Sequence, residues 1–492
     1  MSIKNKETKK FGQYFTPKEI VKEMMKLSRV FDYTKDEYTV SDEIDILEPS
    51  CGEGTFIKKI INEINGINKN TDKKYNKNYN ITGIEIDDTL KQNLSNVSNT
   101  SNNSNISINI LHQNFLAYPT NKKFNLIIGN PPYIKYSAIS KETKDILDTP
   151  IFCCEDEGNP FVISDILNQQ SNLYLYFIIK CFAQLKDKGE LIFIVPREFL
   201  NSTSAEKMNK ILYENGTITD VLDFGDSYVF KGVSPNCVVF RYVKGEYNRQ
   251  TIYKKLRYNR EKGTLIDKTY EDAMDKNKET RLNDLPYRKF YLNEGKLLFL
   301  KRSNYDIKDV NTQKKIKFSD LFFVKVGAVS GADKYFENYK GNIDIVYSKT
   351  CKTGQTKRMI YNEENEELIK YKNILINRKI KKFNENNWYM WGRDFYHSDK
   401  ERTYVNAKTR NKEPFFYNEC KNYDGSVLAI FPKFDCDKET CFKICKMLND
   451  VDWDELGFVC DGRFQFSQRA LENTLLPWNF HVFSNSVNAI NI

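Results

Sequence analysis

Histidine is scarce: His112, His397 and His481 are the three in 492 residues, and they lie far apart in the chain. No Ser–His–Asp type of arrangement is indicated by that scatter. No stretch approaches the roughly 20 apolar residues of a membrane span, and the basic start MSIKNKETKKFGQ has no apolar signal core. The 11 cysteines are irregularly spaced; without an export signal they read as thiols of a reduced, cytoplasmic protein. Cys436, Cys441 and Cys445 in CDKETCFKIC lack the paired C-x-x-C spacing of a tetrahedral site, so no metal is expected. Internal repeats are absent, and so is the dinucleotide pattern G-x-G-x-x-G.

What is present is length, an apolar fraction of 40% and an uneven charge. A prior of roughly 150 residues per domain suggests two to four domains. Residues 1–240 carry 28 Lys and Arg against 31 Asp and Glu, whereas residues 241–492 carry 47 against 35. A near-neutral first half and a basic second half imply separate tasks, the second facing a polyanion. Lysine enrichment for solubility alone leaves the same signature.

The first half alternates strand-like and helical runs, the pattern of an open α/β sheet. IDILEP, ITGIEID, ISINILHQ, FNLIIGN, ELIFIVP and CVVFRYV read as strands; GTFIKKIINEI and SNLYLYFIIKCFAQLKD read as helices. NKNTDKKYNKNYN and the Asn/Ser-rich NLSNVSNTSNNSNISIN have too little apolar surface to bury and read as surface loops. CCEDEGNPFVISDILNQQ reads as a loop over a cleft. Residues 246–310 are charged, tyrosine-rich and weakly periodic, and are expected to be a linker with some strands; a second compact region occupies 311–492.

Three strand ends carry ligand chemistry. In ILEPSCGEGTF, Gly52 and Gly54 let the backbone approach a ligand ahead of a helix N-terminus. Some 30 residues later ITGIEID ends in Glu85, a carboxylate placed to accept from two ribose hydroxyls. LHQNFLAY follows with a small polar residue and an aromatic. Together they suggest a nucleoside ligand without a pyrophosphate. The fourth strand, LIIGNPPYIKY, runs into an amide, two prolines and a tyrosine. Proline fixes φ near −65° and donates no hydrogen bond, so this exit from the sheet is stiff.

NPPY behind FNLII, preceded by LEPSCGEGTF, GIEID and HQNFL, resembles the S-adenosylmethionine-dependent amino-methyltransferases of DNA. FGQYFTP, ahead of the glycine turn, is similar to the first cofactor motif of their gamma class. The resemblance covers about residues 11–242 and weakens beyond 310, where VGAVSGADKYF looks like the start of a target-recognition domain. It implies a Rossmann-like methyltransferase sheet in residues 1–245 and a C-terminal α+β target-recognition domain in 311–492. It places Thr16 at the cofactor's methionine carboxylate, Glu48, Ser50, Cys51 and Gly52 around its amino acid end, and Glu85 on the ribose. Asn114, where the family usually has aspartate, would accept from the adenine amino group, with the Phe115 N–H beside it. Phe177 would pack on the adenine, Tyr174 being a possible substitute. Asn130, Pro131, Pro132 and Tyr133 would form the catalytic motif, with Tyr133 and Phe230 stacking on the two faces of a flipped-out base.

The motif has a chemical reason. The lone pair of an exocyclic amine is delocalised into its ring, and methylation requires it to localise on nitrogen. The Asn130 side-chain oxygen and the Pro131 carbonyl, held in place beforehand, would accept from the two amine hydrogens and favour that change. Asparagine at the first position leans towards adenine. The resemblance therefore implies a monomeric adenine-specific methyltransferase of double-stranded DNA, either an orphan or beside a separate restriction endonuclease. With the first motif starting at Phe11, no N-terminal nuclease domain is expected. The aromatic-basic stretch 376–410 suits phosphate contacts and groove insertion. A glutamine methyltransferase acting on release factors or a ribosomal RNA adenine methyltransferase would use the same motif; a sequence-recognition subunit is the non-enzyme alternative. The basic region after the catalytic half favours the DNA enzyme.

Overall fold

The computed structural model describes residues 14–32, 42–70, 77–98, 104–148, 150–152, 160–225, 227–230, 236–269, 286–300, 316–460 and 463–483. Residues 11–13 of FGQYFTP, 153–159 of the cleft loop and 270–285 of the expected linker lie outside these. Two compact units divide the chain, Met1–Ser303 and Asn304–Ile492. Among the described residues no helix is long and apolar enough to cross a membrane.

In the first unit the strands are β1 (Glu43–Glu48), β2 (Asn78–Glu85), β3 (Ile106–His112), β4 (Phe124–Gly129), a short pair β5 (Pro150–Phe152) and β6 (Pro160–Val162), then β7 (Leu185–Pro196), β8 (Gly216–Asp223), β9 (Cys237–Lys244), β10 (Gln250–Asn259), β11 (Thr264–Asp267), β12 (Tyr287–Asn293) and β13 (Lys296–Leu300). The main sheet runs β3-β2-β1-β4-β7-β9-β8-β10-β12-β13, with β11 paired to β10. From β3 to β7 all neighbours are parallel. β9 is reversed and pairs antiparallel with β7 and β8.

Helices cover the sheet for reasons visible in their spacing. Thr55–Asn70 buries Phe56, Ile57, Ile60, Ile61, Ile64 and Ile67 along one stripe. Each contributes roughly 1.5–3 kcal/mol, which outweighs the modest helix propensity of its Ile and Asn residues. The stripe seats closely on β2: a Cβ on Gly83 would stand 2.6 Å from Ile57 Cδ1 and 2.8 Å from Ile110 Cδ1. Lys18–Leu27 buries Ile20, Val21, Met24 and Met25, while every residue of Leu173–Ala183 is buried.

Three readings of the sequence change here. The segment taken for a linker supplies β10, β12 and β13 to the main sheet, so the first unit runs on to Ser303. β10 and β12 are only partly covered, and their polar faces blur the alternation that would reveal them, whereas β13 buries the run Leu297–Leu300. β8 was not anticipated, because GTITDVLD breaks its apolar run with threonine and aspartate that the fold nonetheless buries. The Asn/Ser-rich insertion begins as a helix, Lys91–Ser98.

The second unit is α+β. Its antiparallel sheet orders Phe322–Val326, Val427–Pro432, Thr403–Asn406 and Phe415–Tyr417, and helix Lys438–Asn449 packs on the last strand. Within the aromatic-basic stretch, Trp388, Trp391, Arg378 and Arg402 are buried rather than presented for groove insertion. The Arg378 guanidinium donates to the carbonyls of Ser330, Leu375, Trp388 and Met390, and burial lowers it to about 10. Lys379, Lys381, Lys382, Arg393 and Lys400 remain exposed. Cys436 Sγ and Cys441 Sγ lie 3.3 Å apart beside this unit's long helix. Among the described residues no three His, Cys, Asp or Glu side chains cluster as metal ligands.

Candidate cofactor and acceptor site

At the carboxyl ends of β1 to β4 the chain leaves the sheet in four turns. β1 has β2 on one side and β4 on the other, so the crossovers diverge and leave a crevice. A cavity of about 300 Å³ opens there, walled by residues from all four turns and by the segment Tyr14–Thr16.

The β1 turn is held by β2. Gly52, at φ +51°, donates its N–H to Glu85 Oε2 at 2.7 Å, and the Asp87 N–H donates to Oε1 at 2.8 Å. Each carboxylate oxygen keeps a further lone pair for a ligand hydroxyl. Burial raises the Glu85 pKa, partly offset by those two bonds. Glu48, 1% exposed, is raised well above the usual carboxylate range by burial and by the neighbouring Glu85 charge. Ser50 Oγ donates to the Asn130 carbonyl at 3.0 Å, tying the β1 turn to the β4 turn. Cys51 turns its thiol into the core against Gly83, so what it gives the cavity is backbone.

The β3 turn forms the opposite end. Asn114 Oδ1 accepts the Leu116 N–H at 3.0 Å, and Asn114 Nδ2 donates to Thr143 Oγ1 at 2.9 Å. The oxygen retains a lone pair and is fixed in orientation by both bonds. The Phe115 and Phe177 rings stand 4.9 Å apart, both on the cavity wall. Tyr174 is directed elsewhere, edge-on to Tyr133 at 5.9 Å. Lys180, lowered to about 8 by burial, donates to the Leu116 carbonyl and so braces this turn.

In the β4 turn Asn130 Nδ2 donates to the Tyr14 carbonyl at 2.6 Å. Its Oδ1 is buried and has no hydrogen-bond partner. Thr16 Oγ1 and Glu48 Oε2 are likewise buried and unpartnered, and all three residues wall the same cavity. Pro132 lines it too. Tyr133 is anchored by its hydroxyl, which donates to the Ile194 carbonyl at 2.8 Å. Phe230 is buried, with its ring 5.9 Å from that of Tyr133 at 66°. Two rings so inclined leave no slot between them; a base between two stacked rings needs two stacking distances. Tyr14 completes the group, near-parallel to Tyr133 at 5.8 Å and 5.7 Å from Phe230. Tyr14, Thr143 and Lys180 were not picked out from sequence. Nothing local marks them; Tyr14 sits two residues before Thr16, and that was the available hint.

A mostly parallel sheet in which β9 and β12 are reversed, with a nucleoside-sized cavity at its switch point, defines a Rossmann-like methyltransferase fold. Residues 16–230 match the family described as Eco57I restriction-modification methylase. It is similar to the type II methyltransferase M.HincII of Haemophilus influenzae, 32% identical over 246 residues that make up 49% of this chain and 39% of that protein. M.AccI of Acinetobacter calcoaceticus is 29% identical over 228 residues, 46% and 36% of the two chains. The matched region spans about two fifths of the length of these relatives. Among solved structures, the type IIL restriction-modification enzyme MmeI in complex with DNA aligns with a TM-score of 0.51 at 12% identity, covering 93% of this chain and 64% of that one. That likeness concerns the fold.

Proposed function

We propose that the chain is a site-specific DNA methyltransferase that transfers a methyl group from S-adenosylmethionine to the exocyclic amine of a flipped-out adenine in duplex DNA. The observation that carries this reading is the trio of buried, unpartnered polar atoms, Thr16 Oγ1, Glu48 Oε2 and Asn130 Oδ1, facing one cavity. A buried polar atom without a partner costs about 1–3 kcal/mol, so three in one place suit a polar ligand. Thr16 and the Gly52 turn suit an amino acid carboxylate and amine, Glu85 a ribose, Asn114, Phe115 and Phe177 a purine. S-adenosylmethionine supplies the methyl group, its carbon–sulfur bond breaking as the nitrogen–carbon bond forms.

The chain's own part is to hold the acceptor. Asn130 Oδ1 accepts one amine hydrogen and the Pro131 carbonyl the other, which localises the nitrogen lone pair. Positive charge builds on that nitrogen during transfer, and acceptors fixed beforehand favour it. The extra proton then leaves an acidic ammonium, so no strong base is needed. Tyr133 supplies a stacking face for the base, which must leave the duplex to reach the cavity. The basic excess after residue 240 lies partly on the outer strands of the first unit and partly in the second unit, and both would supply phosphate contacts, so affinity should fall steeply with salt. The chain would act either as an orphan or beside a separate restriction endonuclease.

Single-molecule sequencing of DNA from cells expressing the chain tests the reading. It should reveal N6-methyladenine at one recurrent sequence, and DNA free of the mark would overturn it.

A further inference from the structure

We propose that the Tyr14 ring occupies the place of the target base and must rotate away for the base to enter. The inference rests on the methyl transfer proposed above and adds to it a residue with two separable roles.

Of the three clustered rings, Tyr14 is the one that walls the cavity. It lies nearly flat against Tyr133, with centroids 5.8 Å apart at 28°, an offset-stacked geometry. A planar ring stacked on Tyr133 beside Asn130 describes the pose that methyl transfer asks of an adenine. Tyr133 has little freedom to yield, since its hydroxyl is bonded to Ile194 and its edge meets Tyr174. Phe230 is 2% exposed and equally confined. Tyr14 is only half-buried, and rotation about its Cα–Cβ bond can carry the ring off Tyr133.

The carbonyl of Tyr14 does something different. By accepting from Asn130 Nδ2 it decides which end of the amide faces the cavity, and so presents the oxygen rather than the nitrogen. Rotation of the side chain leaves that backbone bond intact. Tyr14 is therefore a positioning residue through its carbonyl and a stand-in for the base through its ring. While no base is present, the ring keeps the Tyr133 face dry.

The two roles part in one experiment on the full chain. A duplex carrying its recognition sequence, with 2-aminopurine in place of the target adenine, is titrated with wild type, Tyr14→Ala and Tyr14→Phe in the presence of S-adenosylhomocysteine. Base entry competes with the Tyr14 stack, so Tyr14→Ala should raise the flipped fraction, read as fluorescence, by about tenfold. The DNA KM should fall by a similar factor. Tyr14→Phe should restore wild-type behaviour. If Tyr14→Ala does not fold, Tyr14→Leu removes the flat ring with less loss of volume and is read the same way. Lower fluorescence together with lower kcat in the truncated side chain would make Tyr14 a wall of the base site and overturn the proposal. An unchanged signal would overturn it as well. Wild-type methylation of the unmodified duplex is measured first: its failure overturns the parent reading, whereas a methylating wild type with an indifferent Tyr14→Ala overturns this inference alone.

Discussion

The amide of Gly52 donates to the carboxylate of Glu85 at 2.7 Å, joining the turn after β1 to the end of β2. The bond makes Glu85 a brace for the glycine turn, beside the ribose-binding role proposed for it. In Glu85→Gln one oxygen becomes an NH₂ facing a backbone N–H, either that of Gly52 or that of Asp87. Hydrogen bonds to charged groups are worth about 1.5–3 kcal/mol, so S-adenosylmethionine affinity should fall roughly 10- to 100-fold by calorimetry. Wild-type affinity in this variant would mean that Glu85 neither braces nor binds.

Asn130→Ala removes the unpartnered Oδ1 and leaves the Ser50 contact, which is made to backbone. The kcat should drop about 100-fold or more, the scale set by losing one preorganised partner at a developing charge. Cofactor affinity should change little. Turnover close to wild type would remove the acceptor role.

Glu48 gives a pH dependence whose sign can be worked out. Burial and the Glu85 charge raise its pKa, so in the ligand-free protein it holds a proton to higher pH than a free carboxyl does. A cationic ligand beside it favours the ionised form and lowers that pKa again. Binding of S-adenosylmethionine should release protons, and affinity should weaken as pH falls. Calorimetry at one pH in buffers of different ionisation enthalpy measures the released protons directly. A proton count of zero, or uptake, would contradict this account of the carboxyl.

The boundary of the first unit is also open to measurement. A chain ending at residue 245 would lose the β10 partner of β8 and the buried Tyr253, Phe290, Leu297 and Phe299. At roughly 1.5–3 kcal/mol each, these approach the whole stability of a typical domain, about 5–15 kcal/mol. A chain ending at Ser303 should melt cooperatively by calorimetry, and one ending at 245 should not. Equal transitions would show that the outer strands add little.

Strands whose apolar residues run unbroken, such as β1 and β4, could be read from the sequence, and their terminal residues came with them. Glu48, Glu85, Asn114 and Asn130 all meet at one cavity because each ends or follows a parallel strand. Some strands are expected between 246 and 310, but the polar faces of β10 and β12 hide that they extend the main sheet, and β8 is hidden because its buried Thr217 and Asp223 find partners only in the folded sheet. The Tyr14–Asn130 bond spans 116 positions, and no local pattern announces it. Arg378 and Trp388 read as exposed because composition does not tell which cations meet backbone carbonyls inside.

Tyr14, Phe15 and Thr16 touch three parts of one cavity: the acceptor end, the Gly52 turn and the buried hydroxyl position. Peptide units are planar, so only the few φ and ψ torsions between them separate Thr16 from the Tyr14 carbonyl. A ligand that seats against Thr16 would act, through those torsions, on the carbonyl that holds the Asn130 amide. The two substrates should then sense each other through a lever three residues long, and binding measurements should show each changing the affinity for the other by the same factor.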